Sequence, residues 1–123
     1  MQGKVVMMAT IDIADGGMRV RFSPWERLAV WRDEAVVPSS AIKAVEFVEE
    51  PVRRTRGGRA GVLISGVLKV GYWGLGTGTR QLVSARRGVS GLRIELDRAV
   101  AGLPFDEVLV SAPNAKDLVG VLV

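Results

Sequence analysis

LRIELDRAVAGLPFDEVLVSAPNAKDLVGVL (Leu92–Leu122) contains the change of period that decides the fold. Leu92, Ile94 and Leu96 alternate with Arg93, Glu95 and Asp97, which puts apolar side chains on one face of a strand and charges on the other. Phe105–Ser111 reads as a further strand, the last in the chain. Beyond Pro113, a residue suited to a helix's first turn, Ala115, Leu118, Val119 and Leu122 recur at helical spacing. The chain therefore closes with one amphipathic helix. Gly120 inside it costs about 1 kcal/mol relative to alanine, so tertiary packing must hold that turn.

Working back toward the N-terminus, the alternating pattern repeats. Val5, Met7, Ala9, Ile11 and Ile13 share one parity, and Met18, Val20 and Phe22 alternate with Arg19 and Arg21. Asp15-Gly16-Gly17 between them supplies a tight turn, so the two runs read as a hairpin. Ser23-Pro24-Trp25-Glu26 then has the composition of a capping box with proline at the first helical position. A short helix from Pro24 to about Arg32 is expected, with Trp25, Leu28, Ala29 and Arg32 as its stripe and Trp31 flanking it. Further strands are expected at Ala35–Val37, Ile42–Glu49, Gly66–Trp73 and Thr79–Arg86. The stretch PVRRTRGGRAG (Pro51–Gly61) has no period and reads as a mobile loop. No repeat is visible, and 123 residues suit a single domain, 1–123, with one core.

Composition excludes several chemistries. The chain has no histidine and no cysteine, hence no imidazole base, thiolate nucleophile or structural zinc site. Asp33-Glu34 and Glu49-Glu50 are adjacent pairs without the spacing of a cation loop, and they read as solvated charges. Gly71, Gly74, Gly76 and Gly78 match neither nucleotide-binding glycine pattern and read as a hairpin turn. Ser65 and Ser90 lack a nucleophile elbow. No catalytic residue, cofactor or metal site is expected, and the chain reads as a non-enzyme.

Nor does the chain look membrane-spanning. Ala60–Gly78 is long and mostly apolar, but Lys69 at its centre would cost about 2.5–3.5 kcal/mol in a bilayer. The N-terminal run is broken by Thr10 and Asp12 without a cleavage-like site, and Gln2 excludes myristoylation. A cytoplasmic location is the expectation, with a peripheral membrane contact left open.

Charge is unevenly spread. Residues 1–50 carry six cations and eight anions, 51–94 nine cations and no anion, and 95–123 two cations and five anions. An acid-free basic middle attracts anionic partners unless folding brings acids from neighbouring strands against it. Arg53, Arg54, Arg56 and Arg59, on a glycine-softened stretch, suit bidentate pairing with phosphate or carboxylate, and Arg86 and Arg87 extend the set. Nucleic acid is disfavoured, because Tyr72 and Trp73 are the only aromatics near this region for stacking on bases.

About seven short strands followed by a terminal helix describe a mainly β fold, a bent antiparallel sheet or barrel whose open end the helix plugs. In the order of its segments the chain resembles the small uncharacterised bacterial proteins with a pleckstrin-homology-like fold. The resemblance is carried by Ser23–Leu28, Val37–Glu50, Ser84–Gly88, Leu92–Leu96 and Phe105–Leu118. It implies a binding platform and not an enzyme. The usual phosphoinositide site of that fold needs basic residues around the first hairpin turn, where this chain has Asp15 followed by Arg19 and Arg21. Two functions follow as expectations. The first is a non-catalytic module that binds another protein or a second copy of itself, with Trp25 and Trp31 as partner-facing aromatics. The alternative is an anion receptor for a lipid headgroup, phosphorylated ligand or nucleic acid, built on the Arg53–Arg59 stretch.

Overall fold

Strands dominate the described residues, 8–14, 17–64 and 67–122 of the computed structural model. Three of them, β1 (Thr10–Ala14), β2 (Gly17–Arg21) and β3 (Glu34–Val37), form an antiparallel sheet in that order. The other six are β4 (Ile42–Val48), β5 (Gly58–Ile64), β6 (Leu68–Leu75), β7 (Gln81–Arg86), β8 (Gly91–Leu96) and β9 (Glu107–Ser111). They lie in the order β4-β8-β9-β7-β6-β5. Helix α1 (Pro24–Val30) joins β2 to β3, α2 (Arg98–Ala101) precedes β9, and α3 (Ala115–Leu122) ends the chain.

The mainly β class expected from alternation is the one found, but its details differ. Among the described residues, nine strands in two sheets replace about seven in one. The large sheet is not wholly antiparallel either, because β9 lies between β7 and β8 and pairs in parallel with β7. Every residue of β9 is buried. A strand with no solvated face is most stable at the interior of a sheet, and that burial selects its place between two neighbours.

Alternation decides which way the strands face. Met18 and Val20 of β2, Ala35 and Val37 of β3, Val70, Leu82, Leu92, Ile94, Val108 and Val110 of the large sheet, and Ala115 and Leu118 of α3 belong to one core. Both sheets and the terminal helix therefore bury apolar surface in common. Helix α3 packs against β4 and β8 and also touches β1. Of the first hairpin, Ala9, Ile11 and Ile13 face this core as expected, whereas Val5, Met7, Asp15 and Gly16 lie outside the described residues. The same is true of Ser65 and Gly66.

Two expectations about α1 are corrected. The helix ends at Val30, and its buried face is Glu26, Ala29 and Val30, while Leu28 stands in solvent. Glu26 marked the capping box and was not counted toward a face. Its Oε1 accepts the Ser23 amide at 3.0 Å, and its Oε2 accepts a short hydrogen bond from the Ser84 hydroxyl of β7. A charge tied in this way can be buried, and it moves the buried stripe off the all-apolar one.

The stretch Pro51–Gly61 is also not an aperiodic loop. Pro51–Arg53 forms a 3-10 turn with Pro51 and Val52 buried, and Gly58 opens β5. Glycines hid the strand, since a residue without a side chain shows no alternation. Gly61 pairs with Gly71, whose φ is +144°, and a Cβ on Gly71 would lie 2.6 Å from the Gly61 Cα. The close approach of β5 and β6 requires glycine there. Helix α2, a single turn capped by Asp97 through the amides of Ala99 and Val100, is too short to show a period.

Candidate anion-binding site

The large sheet has a second face, opposite the main core. Register places Glu46 of β4 beside Arg93 of β8, Glu95 beside Glu107 of β9, Glu107 beside Gln81 of β7, and Gln81 beside Trp73 of β6. Part of this face is covered by a small cluster of Val52, Trp73, Val83, Ala85 and Leu109. Val52 comes from the 3-10 turn, which packs on β7, β8 and β9 as the chain passes from β4 to β5.

Gln81 holds the crossing chain in place. It is 1 % exposed, its Oε1 accepts the Arg56 amide at 2.9 Å, and its Nε2 donates to the Arg54 carbonyl at 3.0 Å and to Glu107 Oε1 at 2.7 Å. Lys69 Nζ donates to Thr55 Oγ1 at 2.5 Å. Burial, and secondarily the charge of Arg59, lowers the Lys69 pKa below the usual lysine value. The backbone at 54–56 is thus pinned on a residue of the sheet.

Pinned there, the chain sets the side chains of Arg53, Arg54 and Arg56 around a hollow of about 420 Å³, with Arg93, Glu46 and Glu107 completing the lining. An adjoining hollow of about 250 Å³ shares Arg56, Arg93 and Glu107 and adds Lys43, Glu95 and Asp106. Two grades of ion pair coexist. At the floor, Arg93 Nε donates to Oε2 of the buried Glu107 at 2.9 Å, the length of a strong charge-assisted bond. At the rim, Arg54 reaches Glu46 with two N···O separations of 3.4 Å, and Arg93 Nη1 lies 3.5 Å from Glu46 Oε1. Those pairs are long, and both Arg54 and Glu46 are more than two-fifths exposed, so each is worth at most about 1 kcal/mol. Among the described residues, neither Arg53 nor Arg56 has a carboxylate within ion-pair distance, and both are exposed.

Of the residues singled out from the sequence, Arg53, Arg54 and Arg56 are brought together. Arg59 is not in the lining and stands on β5, opposite Trp73. Arg86 and Arg87 do not join the hollow either. β7 directs Arg86 with Ser84 to the other face, where the Glu26 charge partly offsets the lowering of the Arg86 pKa by burial. Arg87 is exposed in the β7–β8 turn, its amide bonded to the Val67 carbonyl. Trp25 is half-buried against the main core, and Trp31 is 89 % exposed. The residues missed were Gln81, Arg93 and Glu107. Arg93 carried a signal in the LRIEL alternation, which puts it on the charged face.

The expected folding of acids onto the basic middle occurs in part: Arg54 and Arg93 meet Glu46, Glu95 and Glu107. Of the four glycines, Gly71 and Gly74 lie in β6 while Gly76 and Gly78 lie in the β6–β7 turn, with the Thr77 amide bonded to the Gly74 carbonyl at 3.1 Å. Among the described residues no group of acidic side chains is arranged to hold a metal, and no helix is long and apolar enough to cross a membrane. No protein family, curated protein or solved structure matches this chain.

Proposed function

We propose that this chain is a non-catalytic binding module, of the pleckstrin-homology-like kind that its sequence resembles, and that its ligand is an anion. A mainly β body that ends in a helix is the coarse architecture which that reading expects. One observation carries the functional reading: a side-chain amide anchored in the sheet holds the 54–56 backbone so that three arginines converge on one hollow. Arginines whose backbone is held in this way lose less freedom on binding than the same residues on a mobile loop. Beneath them Gln81 and Arg93 both donate to the Glu107 carboxylate, which fixes the floor of the hollow.

Titration calorimetry with inorganic phosphate at low salt tests this. Replacing Arg53, Arg54 and Arg56 together by alanine should abolish binding, Arg59→Ala should leave it unchanged, and added salt should weaken it steeply. Phosphate binding that survives the triple replacement overturns the assignment.

A separate observation favours a second, protein-binding reading. Leu28 and Trp31, one helical turn apart, are 81 % and 89 % exposed. Trp31 moreover occupies the left-handed C-cap of α1 with φ of 60°, where glycine is the ordinary choice. A second copy of the chain is the occupant this reading names, because one apolar patch repeated about a two-fold axis is complementary to itself.

A further inference from the structure

Glu46 lies where a bound anion would lie. Its carboxylate faces the Arg54 guanidinium as a two-pronged fork, and the same Oε1 that Arg54 Nη2 approaches at 3.4 Å is approached by Arg93 Nη1 at 3.5 Å. Two guanidiniums from different parts of the chain thus share one oxygen. All these separations exceed the 2.7–2.9 Å of a well-formed charged pair. The floor pair of Arg93 with Glu107 reaches that length at 2.9 Å, whereas the exposed pairs of Glu46 and Glu95 are all loose; Glu46 is distinguished among them by facing Arg54 and Arg93 at once.

We propose that Glu46 is a built-in competitor for the arginine hollow, and that the ligand displacing it carries a phosphate group. The inference rests on the anion-binding reading above. A carboxylate offers one edge to one fork, whereas a phosphate offers three oxygens and close to two charges at neutral pH. Arg54 can leave Glu46 for such a ligand while Arg53 and Arg56, which have no carboxylate partner among the described residues, take its other oxygens. Arg93 stays on Glu107, buried at 3 % side-chain exposure, and keeps the floor in place during the exchange. Glu46 therefore sets a threshold. Weak monoanions do not outcompete a tethered carboxylate, and a dianion does.

The test is calorimetric titration of the whole chain with inorganic phosphate, comparing the native protein with Glu46→Gln and Glu95→Gln. Glu95 is the control because it pairs with Arg93 and Lys43 on the same face without touching Arg54. Glu46→Gln should tighten phosphate binding roughly two- to fivefold, the worth of an exposed ion pair, and Glu95→Gln should do less. The gain should vanish when Arg54→Ala is combined with Glu46→Gln. Phosphate binding that Glu46→Gln fails to tighten beyond Glu95→Gln overturns the competitor role and leaves the anion site standing. Absence of phosphate binding in the native chain and in Glu46→Gln overturns the anion site itself. Co-sedimentation with phosphatidylcholine vesicles, with and without phosphatidic acid, identifies the source of the phosphate. A Glu46→Gln gain on the acidic vesicles assigns a lipid headgroup, and a gain confined to inorganic phosphate assigns a soluble ligand.

Discussion

Single residues in this protein are placed by what they can satisfy. Glu26 is buried because the Ser23 amide and hydroxyl and the Ser84 hydroxyl all donate to it. Trp31 is the opposite case, a large apolar side chain in solvent on a left-handed backbone. Left-handed geometry costs a side-chain-bearing residue about 1–2 kcal/mol, and glycine avoids that at an entropic cost of about 0.5–1 kcal/mol in the unfolded chain. Trp31→Gly should therefore raise stability by about 0.5 kcal/mol in urea unfolding, since little apolar burial is lost. In sedimentation experiments the same variant should abolish concentration-dependent association. Association that persists removes Trp31 from the interface, and lower stability contradicts the strain argument.

Among the elements, the crossing chain from β4 to β5 matters most, because it turns a charged sheet face into a hollow. Gln81 is the link: both its amide hydrogens and its oxygen are engaged, two of the three bonds with the crossing chain. Gln81→Ala should cost about 1–3 kcal/mol, the penalty for leaving buried partners unsatisfied. It should also weaken phosphate binding without removing any arginine. Hydrogen exchange provides a local readout, with faster exchange expected at the Arg56 amide while the β8 and β9 amides stay protected. Exchange at Arg56 as slow as in the native chain would show that the segment is held by something else. None of this was visible in Pro51–Gly61, whose arginines were conspicuous and whose anchor is 25 residues further along. Strand alternation, by contrast, was readable wherever side chains of both kinds were present, as in β2 and β8, and so was the helical period of α3.

At the scale of the whole molecule, stability at alkaline pH reports on two groups with opposite signs. Burial, outweighing the nearby Arg32, raises the Tyr72 pKa above its usual 10.0, and its hydroxyl donates to the Val30 carbonyl at 2.7 Å, which ties β6 to α1. A group whose pKa is raised on folding stabilises fully below its unfolded value and loses that contribution as pH climbs through its folded value. Lys69 behaves inversely: its pKa is lowered from 10.5, so the folded state carries a penalty at neutral pH that is relieved as pH rises. The native chain should lose stability above pH 10.0 through Tyr72. Tyr72→Phe should flatten that decline, and Lys69→Met should steepen it, as read from urea midpoints between about pH 8 and about pH 11. A Tyr72→Phe profile as steep as the native one would exclude the phenol as the cause.

Local chemistry settled what could be read without neighbours. Alternation and turn residues make this a mainly β chain, the last period makes its end a helix, and the lack of histidine and cysteine removes whole classes of chemistry. The basic middle was likewise a property of the string. Tertiary structure alone decided that β9 slips between β7 and β8, that Glu26 replaces Leu28 on the buried side of α1, and that three arginines of six share a hollow with Arg93. The physical reason is common to all three. Each outcome depends on which distant group can cover an apolar strand or satisfy a buried polar atom, and such partners are chosen by pairing across the sheet and not by spacing along the chain.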